Sequence, residues 1–91
     1  MTVLKFELAG DPDRDAVEAD VALALFAAEC VFGKPRVRME ASYLVDNSGH
    51  ACVFNAGGEA GEAAARIFAG LTAVRLGEAA YSIRRLERVR S

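Results

Sequence analysis

The 91-residue chain has two cysteines, one histidine, no excess of positive charge and no long apolar run, and each shortage removes a class of protein. Cys30 and Cys52 fall short of the dense disulfide framework of small secreted domains, so a reduced, cytoplasmic setting is expected. With His50 as the single histidine, a dedicated metal site lacks ligands, since structural zinc needs about four and catalytic zinc about three. No cofactor is implied. Eleven basic against 13 acidic side chains give a net charge of −2, without the cationic field that gathers phosphates along a nucleic acid backbone. The longest unbroken apolar run, Val21 to Ala28, is eight residues and cannot cross a bilayer. Thr2 to Glu7 offers neither a basic leader nor a cleavage site, so no secretory signal is expected.

What is present is apolar surface: 53% of the residues are hydrophobic, enough for one core over residues 1–91 and too little for two. Alanine supplies 18 residues, and arginine outnumbers lysine nine to two, a bias of GC-rich bacterial genomes more than of guanidinium chemistry.

Leu4, Phe6 and Leu8 alternate with Val3, Lys5 and Glu7, the period of a half-buried strand over residues 2–8. Asp11-Pro12 reads as a helix start, with Asp13 and Asp15 favourable at the positive dipole end, and the helix is predicted to run from about Pro12 to Phe32. Gly33 and Pro35 close it. A second strand is expected where Val37, Met39, Ala41, Tyr43 and Val45 alternate with Arg36, Arg38, Glu40, Ser42 and Leu44. Asp46-Asn47-Ser48-Gly49 is turn chemistry leading into a third strand, His50 to Asn55. A second helix follows over about Glu59 to Leu76, with Ala60, Ala64, Ile67, Leu71 and Val74 on one face, and a last strand over residues 80–89. This order predicts an α+β fold: a ferredoxin-like βαββαβ two-layer sandwich, with a four-stranded antiparallel sheet and two helices on one face.

That order is shared by several families. The acylphosphatase-like pattern needs a cationic Gly-Arg-x-x-Gly loop where Ala9-Gly10-Asp11-Pro12-Asp13 stands, and RNA-recognition motifs need a basic-aromatic strand where His50-Ala51-Cys52-Val53-Phe54 stands. The regulatory ACT domains resemble this chain at Gly10-Asp11-Pro12, but Asp13-Arg14-Asp15 replaces their second loop glycine. An architecture is shared and no family is assigned.

The first helix carries two apolar faces. Val17, Val21, Ala24, Leu25, Ala28 and Phe32 should meet the sheet, whereas Ala19, Leu23, Phe26, Ala27 and Cys30 lie roughly opposite. Two layers cannot cover both, so the second set is the expected interface of a non-enzymatic interaction or assembly domain, its partner another copy or a larger protein. The alternative is an anion-sensing domain. A three-residue hairpin loop, which the turn residues favour, would put Leu44, Cys52 and Phe54 on the open sheet face, ringed by Lys5, Arg36 and Arg38. A two- or four-residue loop sends Cys52 and Phe54 into the core instead. Asp11-x-Asp13-x-Asp15 opens like a calcium loop but lacks its glycine and closing acid, so capping accounts for it. Gly57-Gly58 could present amides to a phosphate, but no P-loop lysine follows and Glu59 and Glu62 place negative charge there.

Overall fold

The computed structural model describes residues 2–9, 13–77 and 81–86. Strand β1 is Thr2–Leu8, helix α1 is Arg14–Phe32, helix α2 is Lys34–Glu40, and strands β2 and β3 are Ala41–Val45 and Ala51–Ala56. Helix α3 is Gly58–Leu76 and strand β4 is Tyr81–Leu86. The body of the sheet is β2-β3-β1, antiparallel, with Phe6 opposite Cys52 and Tyr43 opposite Phe54; β4 runs antiparallel along the outer edge of β1.

This corrects the ferredoxin-like expectation of a sheet covered by two helices: a third helix, α2, takes the first half of the expected second strand. The chain is α+β with three helices and an antiparallel sheet built on β1-β3-β2. The second strand was expected to start near Arg36, but residues 34–40 are helical and only Ala41–Val45 are extended. The alternation of Arg36, Val37, Arg38 and Met39 suits a strand, yet it also suits a single helical segment that needs to bury one side chain. Val37 is that side chain, and Met39 is almost fully exposed. Pro35 therefore opens a helix, near the first helical position, where its fixed φ is favourable, instead of closing one. Gly33, at φ +90°, ends α1 and precedes α2.

Asp13 caps α1, its side chain accepting from the amide of Asp15. The expected start at Asp11 and Pro12 lies outside the described residues, as does Val89 of the expected last strand. The hairpin loop inside the Asp46–Ala51 pair has four residues, 47–50, not three, because Val45 pairs with Cys52 and the amide of Asp46 donates to the carbonyl of Ala51. A β-turn over Asp46–Gly49 is as read: the Gly49 amide donates to the Asp46 carbonyl at 3.1 Å. Asp46 gathers three further donors, from the Ser48 amide and hydroxyl and the Gly49 amide. The loop tip leans on the start of α1, where Arg14 Nε donates to the Asp46 carbonyl.

That one-residue difference in register decides which side chains enter the core. Cys52, Phe54 and Ala56 are buried on the helix side with Phe6 and Leu8, against Val17, Val21, Ala24 and Ala28 of α1. At the centre Phe68 of α3 meets Phe6 edge-on, with ring centroids 4.8 Å apart at 80°, and stacks at 6.1 Å over Phe54. The face of α3 is rotated from the expected one: Ala60, Gly61, Ala64, Ala65, Phe68 and Thr72 are buried, whereas Val74 is 88% exposed. In a helix this rich in alanine the apolar stripe has little phase, and the bulk of Phe68 sets the rotation.

Candidate interaction surface

The side of α1 that faces the sheet is closed by Val17, Val21, Ala24 and Ala28. At 100° per residue the opposite side presents Ala19, Ala22, Leu23, Phe26, Ala27 and Cys30. Leu23 is 51% exposed and Phe26 63%, Ala19, Ala22 and Cys30 are exposed, and Ala27 is half-buried. All five residues expected at the interface therefore lie on one side of one helix. Ala22 belongs with them and was missed, although its place on the helical wheel was available in the sequence. Burying a side chain such as Leu23 or Phe26 is favourable by roughly 1.5 to 3 kcal/mol.

The flank of this face is closed on one side by an ion pair that sequence reading did not find. Asp20 is buried and receives two hydrogen bonds from Arg75 of α3, Nε to Oδ2 at 2.7 Å and Nη2 to Oδ1 at 2.8 Å. The separation of 55 positions between the partners hides this pairing from any local pattern. Hydrogen bonding to Asp20 holds the Arg75 pKa above its ordinary value. The cleft between α1 and α3 beside the pair is lined by Leu8, Val17 and Phe68, and the opposite charges on its wall already satisfy one another.

The residues expected to bind an anion are not brought together. Lys5 lies on the open sheet face and pairs with Glu7 at 3.7 Å, Arg36 and Arg38 belong to α2, and Phe54 is fully buried on the helix side. Arg36 Nε donates to Glu40 Oε2 at 2.9 Å, and its guanidinium sits 5.2 Å from the Phe32 ring centroid. Among the described side chains, the open face carries Leu44, Val53 and Val3 with Ser42, Asn55 and Lys5, a mixed surface. His50 is exposed in the hairpin loop while Cys52 is enclosed by the core, so the two share no accessible surface. Burial pushes the Cys52 thiol up to about 11, far from the thiolate that nucleophilic chemistry or metal ligation requires.

The anion at the start of α3 is the protein's own. Glu40 Oε1 accepts from the amide of Ala60 at 2.9 Å and, at 3.4 Å, from that of Gly61, while the Glu40 carbonyl accepts from the amide of Gly57. A carboxylate supplied by α2 thus occupies the positive end of α3, where no side chain of α3's own N-cap, Gly57, makes a capping bond. Hydrogen bonding from Arg36, and then from the two amides, holds the Glu40 pKa below its ordinary value. Asp46 is held low chiefly by the Ser48 hydroxyl and amide. Carboxylates depressed in the folded state contribute stability above their unfolded pKa and lose it as pH falls through the folded one. The melting temperature is therefore expected to fall on acidification below about pH 4.5, and less steeply in Glu40→Gln. Parallel pH profiles of the two proteins in thermal denaturation would contradict the capping role.

No protein-family model, curated protein or solved structure matches the chain. The functional reading therefore rests on the geometry of its own surface.

Proposed function

We propose that this chain is a small interaction and assembly domain that buries the outer face of α1 against another protein surface. One observation carries the reading: Leu23 and Phe26 stand half or more exposed on a helix whose other side is already fully packed. The small residues around them, Ala19, Ala22 and Ala27, let a second element approach closely. Two unbridged cysteines, one buried and one exposed, fit a reducing cytoplasmic setting. Among the described residues no helix is long and apolar enough to cross a membrane.

Light scattering on the wild type and on the double variant Leu23→Asp, Phe26→Asp tests the reading. The wild type is expected above its chain mass of 9.7 kDa and the variant at that mass, with unchanged circular dichroism because both positions are outside the core. A wild type that is monomeric across the concentration range, with the variant identical to it, overturns the proposal.

A further inference from the structure

We propose that the groove between α1, α2 and β2 binds a small zwitterion, a molecule with an ammonium group and a carboxylate on an apolar body. The site lies apart from Leu23 and Phe26 and does not depend on the assembly reading. Its decisive residue is Glu29. Three other acidic side chains of the described residues are buried or half-buried, and each has a guanidinium: Glu18 has Arg14 at 2.9 Å, Asp20 has Arg75 at 2.7 Å and Glu40 has Arg36 at 2.9 Å. Glu29 is also half-buried, yet its side chain has no ion-pair or hydrogen-bond partner among the described residues. Its place adds to the cost, because it stands in the last turn of α1, where the helix dipole is negative and no basic residue offsets it. A cation from outside the chain supplies the missing charge.

The groove has the size and lining for such a ligand. It encloses about 430 Å³, within the range of roughly 300 to 1,000 Å³ usual for small-molecule sites. Leu25, Glu29, Val37, Arg38, Ala41 and Tyr43 line it. Leu25 stands one turn before Glu29 on α1, and Tyr43 is on the helix side of β2 because it lies opposite the buried Phe54. With Val37 they make the apolar wall. Arg38 brings a guanidinium to the same groove, and it too lacks an ion-pair partner among the described residues, Glu29 included. Opposite charges that line one groove without pairing are complemented by a molecule carrying both, its ammonium on Glu29 and its carboxylate on Arg38. A ligand with a cation alone faces Arg38 uncompensated, and one with an anion alone faces Glu29, so the two groups together fit better than either half.

Amide NMR titrations of the full chain test the site, with millimolar L-leucine and L-phenylalanine as probes and phenethylamine and hydrocinnamate as controls that each lack one of the two charges. At least one of the amino acids is expected to shift the amide signals of Glu29, Arg38 and Tyr43 saturably, and to bind about tenfold or more tighter than either control. Glu29→Gln and Arg38→Gln are each expected to weaken that binding by about tenfold or more, whereas the Leu23→Asp, Phe26→Asp double variant keeps it. Glu29→Gln should melt no lower than the wild type, since its carboxylate has no partner to lose. No saturable shift with either amino acid, a control that binds as well, or binding that survives both groove substitutions overturns the proposal. So does a clear loss of stability in Glu29→Gln, which would mean that Glu29 is paired within the fold.

Discussion

Replacing Phe68 by alanine is expected to cost about 3 to 5 kcal/mol, because it removes the ring that joins the helices to the sheet and leaves a cavity that alanine-rich neighbours cannot fill. A domain of this length holds roughly 5 to 14 kcal/mol in total, so the variant loses a large share of its stability. Phe68 is fully buried between Phe6 and Phe54, and Ala24, Ala28, Ala64 and Ala65 of the same core are already minimal in size. None of them carries a side chain long enough to swing into the space. Urea denaturation reads the effect as a much lower midpoint. Val74→Ala on the same helix, at an 88% exposed position, should shift the midpoint by less than about 0.5 kcal/mol. Equal losses at the two positions would mean that α3 presents the face its sequence suggested instead of the one described.

Two glycines of α3 are expected to respond in opposite directions to alanine. At Gly61 a Cβ would stand 2.3 Å from the Glu40 carbonyl oxygen and 3.1 Å from the Ala56 Cα, both backbone atoms that cannot rotate away. Gly61→Ala must push α2 off the start of α3, disturbing the carboxylate cap with it, for an expected loss of about 1 to 3 kcal/mol. At Gly70 nothing lies within 4 Å of the added carbon, and the residue sits inside the helix. Gly70→Ala is therefore expected to gain about 0.5 to 1 kcal/mol, the difference in helix propensity. Paired thermal melts check both signs. Stabilisation by Gly61→Ala would show that α2 does not pack against α3 as described.

The contrast between the two glycines also shows how far local pattern reaches. Both occur in the same alanine-rich stretch, and nothing in Glu59 to Leu76 distinguishes a glycine that admits the Glu40 backbone from one that faces open space. The alternation of Arg36, Val37, Arg38 and Met39 was misleading for a related reason. Period two is a strong signal only over several buried positions, and here a single contact, Val37, anchors the segment. The helical form also lets Arg36 pair with Glu40 one turn later and lets Glu40 reach the Ala60 amide.

Sequence alone determined the first strand, the long first helix with its two apolar faces, the turn at Asp46 to Gly49 and, Ala22 apart, which residues share the outer side of α1. Each of these depends on neighbours within a few positions, where periodicity and capping chemistry operate. Tertiary structure decided the third helix, the hairpin register that buries Cys52 and Phe54, the rotation of α3 about Phe68, and the partners of Asp20 and Glu40. Those outcomes depend on contacts between residues distant in the chain, such as Asp20 with Arg75 and Glu40 with Ala60. Free energy gained from such contacts outweighs the small local preferences that separate a turn of helix from a strand, or one hairpin register from the next.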